Sequence, residues 1–281
     1  MIDLDLRSCE LCPRLCRVNR EEKPGACGCS ARLLAARAAL HFGEEPCISG
    51  SEGSGTVFFA GCNLHCVFCQ NHKISRERYG RELTPARLAE IFRELEAKGA
   101  NNINLVTPTP WVTEIIKALE LYRPQVPVLY NTSGYERVEV LRALEGLIDV
   151  WLPDYKYADT ELAARFSGAR DYPEVAKAAI REMYRQSGNL KLNAEGKAVS
   201  GVMIRHLVLP LHLKNSFAVL EEIAKEYGAE QYVSLMFQYT PFRETRFPEL
   251  NRSLTARERA RAEDYFLRLG FQNGYIQEAD S

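Results

Sequence analysis

From residue 56 to residue 269 the chain alternates short apolar runs with stretches of helical periodicity, and that alternation leaves few folds open. The runs at 56–60, 103–106, 126–130, 150–152, 203–209 and 232–237 are rich in β-branched and aromatic residues and bounded by turn formers, so each reads as a buried strand. Helical periodicity fills the gaps near 112–122, 137–144, 174–186, 217–227 and 256–269. The clearest helix precedes the second strand: Thr84 caps it, Pro85 opens the first turn, Leu88, Ile91, Phe92 and Leu95 repeat at helical spacing, and Gly99 ends it. Strands separated by helices cross over right-handed and pair in parallel. Six such units are too few to close an eight-stranded barrel. The expected fold is therefore α/β, a partial (β/α)6 barrel whose strand C-termini open on one mouth.

The first strand runs into Cys62, Cys66 and Cys69, spaced C-x3-C-x2-C. Three thiolates on one short loop cannot pair off into disulfides without a remainder, and their spacing wraps a compact soft-metal centre rather than a two-plus-two zinc site. A [4Fe-4S] cluster is normally held by four thiolates, so a three-cysteine loop leaves one iron open to a non-protein ligand. With Phe68 before the last cysteine, the segment 62–69 resembles the signature of the radical S-adenosylmethionine (SAM) enzymes. In that family the open iron is chelated by the amino and carboxylate groups of SAM. An electron from the reduced cluster then cleaves the sulfonium bond, and the resulting 5′-deoxyadenosyl radical abstracts hydrogen from substrate. The resemblance implies a [4Fe-4S] cluster on Cys62, Cys66 and Cys69, SAM as second cofactor, and a flavodoxin or ferredoxin-type electron donor. Asn63, Gln70 and Asn71 are expected to shape the surroundings of the cluster. A non-catalytic zinc or iron-sulfur binding protein is the alternative of another class; it explains neither the missing fourth ligand nor the strand before the loop.

A second cysteine-rich stretch holds Cys9, Cys12, Cys16, Cys27 and Cys29 with neither helical nor strand periodicity. It has too little apolar area to fold alone, and a bound metal would supply the missing stability. Cys9, Cys12, Cys16 and Cys27 make four thiolates for a structural zinc or an auxiliary iron-sulfur cluster, with Cys29 a substitute or a free thiol. Cys47, alone before a turn, reads as a small buried residue. Residues 1–50 are expected to form this small metal-binding extension, and 51–281 the partial barrel.

Pro13-Arg14 and Val18-Asn19-Arg20 between the cysteines, then His41-Phe42, the stretch from Glu44 through Gly50, and Gly53-Ser54-Gly55-Thr56, carry a narrower likeness. They resemble the branch related to pyruvate formate-lyase activating enzyme and usually called PflX, and also radical SAM proteins encoded with MEMO-like partners. The likeness extends to the strand ends. Asp154-x-Lys156 is similar to the D-x-K of glycyl-radical-enzyme activases, which contacts SAM or a nearby cation, and the two side chains point the same way on a strand. Asn131-Thr132-Ser133-Gly134 resembles their D-T-N-G turn, with Asn131 where Asp is often found. Thr107-Pro108-Thr109-Pro110 stands in place of a GGE-like motif, so Thr107 and Thr109 would bind the SAM amino group without a carboxylate. Arg205 matches an Arg that lies near the SAM carboxylate, which suits a planar guanidinium. His206 beside it reads as structural, and Tyr239 as an adenine-stacking or wall residue.

Charged residues at 26% and a net charge of −1 give no reason to expect nucleic acid or an anionic membrane as partner. No run is long enough for a membrane span, and the first residues lack the basic and apolar regions of a signal peptide. Nine cysteines in such a chain fit metal ligation in a reducing cytoplasm. The expected substrate is a small molecule or a protein. A glycyl-radical-enzyme activase of the pyruvate formate-lyase activating type is the alternative.

Overall fold

The computed structural model describes residues 4–277. In chain order its elements are β1 (Leu34–His41), α1 (Pro46–Ser49), β2 (Ser54–Phe59), α2 (His72–Ser75), β3 (Arg81–Glu82), α3 (Pro85–Ala97), β4 (Ile103–Val106), α4 (Val112–Leu121), β5 (Val128–Thr132), α5 (Val138–Ala143), β6 (Val150–Pro153), α6 (Thr160–Ser167), α7 (Tyr172–Ser187), β7 (Lys191–Leu192), β8 (Ala198–Leu207), α8 (Leu213–Tyr227), β9 (Tyr232–Met236), α9 (Ala256–Arg268) and β10 (Gly274–Gln277). The strands β2, β4, β5, β6, β8, β9 and β10 are parallel neighbours in that order. β1 pairs antiparallel with β2, and β3 antiparallel with the other side of β1.

All six expected strands are present, and two features go beyond them. β1 reads LAARAALH, rich in good helix formers, yet it is extended because it completes the free edge of β2, with Ala38 opposite Val57 and His41 opposite Ser54. The sheet thus begins inside the span read as the extension. β10 adds a seventh parallel strand; its four residues, one exposed and three half-buried, are too few to show a period, and β9 supplies the pairing that holds them extended.

Helices cover the outer face. α3 forms as its sequence dictates, with the Thr84 hydroxyl accepting from the Arg87 amide, and it buries Leu88, Ile91, Phe92 and Leu95, each contributing about 1.5–3 kcal/mol. These join outward-facing Leu105, Tyr130, Trp151, Ile204 and Val233 in the main core. The inward-facing Leu129, Val150, Leu152 and Met203 form a separate cluster with Cys47 and Ile48 of α1. α1 is held at the strand N-terminal end, where Asn101 and Asn102 donate to the carbonyls of Ser49 and Ile48 at 2.6 and 2.8 Å. Just before α1, one Glu44 oxygen accepts from Asn104 of β4 at 3.2 Å and the other from Arg205 of β8 at 2.6 Å. Those strands would lie about 14 Å apart in a flat sheet. One carboxylate meets both because the sheet curls around it as a partial barrel.

Candidate functional site

The loop after β2 turns at Gly61, where φ is +83° and an added Cβ would lie 2.0 Å from the Cys29 sulfur. Gly61→Ala is expected to cost roughly 1–3 kcal/mol and to displace the loop, read as a lower melting temperature and less iron retained after reconstitution. Beyond it, the Ser167 hydroxyl donates to Cys66 Sγ at 3.0 Å and the Leu64 amide to Cys62 Sγ at 3.4 Å. Cys69 Sγ lies 3.2 Å from Ser75 Oγ. Burial pushes the Cys62 and Cys66 thiols up, and the crowding of Cys62 by Cys66 and Cys69 pushes it further, while Lys156 opposes both shifts. Among the described residues no three metal-ligating side chains converge at coordinating distance, so the thiols define the site by their shared loop. Three crowded thiols with hydrogen-bond donors at sulfur and an ammonium nearby suit a soft, thiolate-held cluster.

Lys156 pairs with Asp154, the side chains 14% and 22% exposed. Burial alone would lower the Lys156 pKa; Asp154, Cys66 and Cys69 outweigh it and hold the pKa above the ordinary lysine value. This is a sheltered pair beside the cysteine loop, not a solvated one. Arg205 sits deeper. Its Nε donates to Glu45 at 2.9 Å and its Nη2 to Glu44 at 2.6 Å. Asn131 Nδ2 reaches Glu44 at 3.4 Å. Glu44 is a buried carboxylate shared by β4, β5 and β8, which sequence reasoning did not place here. Its signal was an acidic pair before Pro46, facing strands that carry inward Asn and Arg.

Thr109 and Thr132 both donate to one oxygen of Glu136, a residue also missed from sequence, and its other oxygen has no partner. Burial raises the Glu136 pKa to about 7 against the pull of those two hydroxyls. The folded protein therefore binds a proton that the unfolded chain releases between about pH 4.5 and 7, so this group's contribution to stability falls as pH rises through that window. Glu136→Gln is expected to flatten that fall and to gain on wild type by about 2–3 kcal/mol at pH 8, as denaturant titrations across pH would show.

Thr107 holds a left-handed φ of +58° at the end of β4, with its amide on the Asn131 carbonyl at 2.9 Å. Tyr239 donates to the Leu250 carbonyl at 2.7 Å and sets its ring against Phe68, centroids 6.0 Å apart, as a wall of the cysteine loop. Asn63 and Gln70 donate to the carbonyls of Tyr135 and Gln238 at 2.7 and 3.1 Å, and Asn71 precedes α2. His206 is buried between the Tyr155 carbonyl and Ser216 Oγ.

The cysteine-rich segment docks on these strand-end loops. Arg14 donates to the carbonyls of Asn63 and Gly168 at 2.9 and 2.6 Å, Arg20 to that of Pro110 at 2.7 Å, and Arg137 to that of Glu10 at 2.7 Å. Cys9, Cys12, Cys16 and Cys27 all line one cavity, with Asn63 and Thr109 in its wall. Cys29 does not line it; its thiol is aimed at the carbonyls of Cys27 and Ala60, 3.7 Å from each.

Residues 56–192 match the radical SAM superfamily. The chain is 31% identical over 262 residues to an uncharacterized protein of Methanocaldococcus jannaschii, covering 90% of this chain and 72% of that protein. Residues 56–192 are thus a radical SAM superfamily domain. Its fold resembles a radical SAM methyltransferase from Sphaerobacter thermophilus (TM-score 0.54, 15% identity, 80% of this chain and 66% of that one). It also resembles Streptococcus suis SuiB bound to S-adenosylmethionine (0.52, 14%, 78% and 48%) and a variant of spore photoproduct lyase (0.52, 15%, 87% and 81%). The chain spans less than two thirds of the first two. Among the described residues no helix is long and apolar enough to cross a membrane.

Proposed function

We propose that this chain is an iron-sulfur enzyme that cleaves SAM reductively to abstract hydrogen from a small-molecule or protein substrate. The observation that carries the reading is the three-thiol loop at a strand C-terminus with the Lys156–Asp154 pair beside it. When bound, a reduced [4Fe-4S] cluster supplies the electron for that cleavage.

The chain's own residues bind, orient and exclude. Cys62, Cys66 and Cys69 would hold the cluster, and Lys156 with Asp154 presents both charges that a zwitterionic amino acid group requires. Arg205 acts through Glu44 and Glu45, which share its guanidinium, so this trio offers an anionic floor rather than a free cation. Phe68 and Tyr239 wall off water. Thr107, Thr109, Asn131 and Thr132 complete the proposed SAM surround, the two threonines at 109 and 132 through their hold on Glu136. A flavodoxin or ferredoxin is the electron donor in this reading, and the cytoplasm its setting. A glycyl-radical-enzyme activase of the PflX-related type is the second reading, favoured by Asp154-x-Lys156 at the end of β6.

The test is 5′-deoxyadenosine release by anaerobically reconstituted, dithionite-reduced protein. Release above a SAM-only control supports the proposal. Cluster-loaded protein that binds SAM and releases none, alone or with candidate substrates, overturns it in favour of a binding protein.

A further inference from the structure

Besides the flank that Lys156 and Asp154 supply, two surface segments wall the cysteine loop. α2 is one of them: its Ile74 carbonyl accepts from the Gly61 amide at 3.0 Å, and its Ser75 Oγ lies 3.2 Å from Cys69 Sγ. The segment 238–247 is the other. Gln70 donates to the Gln238 carbonyl at 3.1 Å, and the rings of His72 and Phe242 stand 5.6 Å apart, so the two segments form one face.

That face is strongly basic. Between residues 70–79 and 238–247 it carries Lys73, Arg76, Arg78, Arg243 and Arg246 against only Glu77 and Glu244. All five cations are exposed, and among the described residues none of them forms an ion pair. Glu77 contacts His72 Nδ1 instead, at 3.2 Å. In a chain whose net charge is −1, this concentrates a positive field over the cysteine loop.

Aromatic rings stand among the cations. Tyr79 is 73% exposed and Phe242 39%, with the Arg243 guanidinium 5.2 Å over the Phe242 ring. The backbone holds Tyr79 out: its amide donates to the Lys73 carbonyl at 3.0 Å, and Arg78 before it takes a left-handed φ of +57°, which residues with a side chain rarely adopt. Exposed aromatics among arginines are the composition of a protein interface.

We propose that this face, centred on Lys73, Arg76, Tyr79 and Arg243, is where an acidic electron-transfer protein docks to reduce the cluster. The inference rests on the cluster reading of the loop and adds the point at which the electron enters. One electron leaves the donor and one reaches the oxidised cluster, with no bond formed or broken. Electron transfer falls off exponentially with distance, so the donor must touch a wall close to the sulfurs. α2 is such a wall, one side chain from Cys69 Sγ, and it leaves the Lys156 flank to SAM and substrate. Transient redox pairs bury little surface and depend on charge for their encounter. Unpaired, exposed cations supply that charge.

The full chain, reconstituted anaerobically and assayed for iron, is mixed with a reduced acidic flavodoxin, and bleaching of the cluster is followed by stopped flow. Lys73→Glu/Arg76→Glu is compared with wild type and with Lys98→Glu/Lys191→Glu, an equal change of charge just before β4 and in β7, at the strand N-terminal end. The first variant is expected to be reduced at least about tenfold more slowly than wild type and the second within about twofold of it. The wild-type rate should fall by about tenfold between about 0.05 and 0.5 M salt, while excess dithionite bleaches all three to the same extent. These readouts do not depend on SAM cleavage. Protein that takes up no cluster overturns the cluster reading and this inference with it; cluster-loaded protein whose reduction ignores both charge reversal and salt overturns this inference alone. Reduction unmoved by the reversal, with single-stranded RNA bound by wild type and lost in the first variant, assigns the face to nucleic acid instead. Should that variant fail to load its cluster, Tyr79→Ser decides: slowing by flavodoxin but not by dithionite supports the docking face, and an unchanged rate sinks it.

Discussion

Cys66→Ala is expected to abolish 5′-deoxyadenosine release, with a loss of at least about a thousandfold, and to drop bound iron from about four per chain to a small fraction of that. Cys66 is the middle cysteine of the loop, and its sulfur accepts from Ser167 and, with that of Cys69, lies near Lys156. With it gone, two thiolates remain for a cluster that already lacks a fourth. The matched control is Cys47→Ala. That thiol is buried but lies in the inner cluster at the opposite end of the strands, so iron and activity should persist there. Iron analysis, the visible spectrum of the reconstituted cluster and product release by chromatography give the result. Unchanged activity in Cys66→Ala would mean that the loop does not hold the working cluster.

Arg205→Met is expected to destabilise the protein by about 3–5 kcal/mol, a fall in melting temperature of roughly 6–20 °C for a chain of this size. The reason is what remains. Glu44 and Glu45 are nearly out of water, with side chains 8% and 0% exposed, and both make their ion pairs with Arg205. Two carboxylates left against each other in the barrel interior have no route to solvation. Arg205→Met combined with Glu44→Gln and Glu45→Gln should recover more than half of the loss, because neutral amides remove the uncompensated charge. If Arg205 alone mattered, as a free ligand for a SAM carboxylate, the triple variant would be no more stable than the single. Denaturant unfolding of the three proteins separates the two.

The helices and strands were legible because their signals are local. Thr84 caps its helix through the Arg87 amide, and the run IleAsnLeuVal at β4 is a strand wherever it is buried. β1 was not legible, since Ala and Leu favour helix and only the edge of β2 makes the segment extended. The cysteine loop could be read from spacing alone, because three thiols within eight residues are neighbours in any conformation. The partners of Arg205 could not. Glu44 is 161 residues away in sequence, and the acidic pair looks like an ordinary polar turn until the sheet curls around it. Thr109 lies just after β4 and Thr132 at the end of β5, and both hydroxyls are spent on Glu136, which carried no motif.

The sequence by itself determined the alternating α/β architecture and the close spacing of Cys62, Cys66 and Cys69, since each rests on periodicity or spacing within a few turns of chain. The tertiary structure alone decided which groups face one another across the barrel. It set Arg205 against two buried glutamates and aimed the Thr109 hydroxyl at Glu136. Those pairings are long-range, and their energies come from burial and charge compensation, which no local pattern encodes.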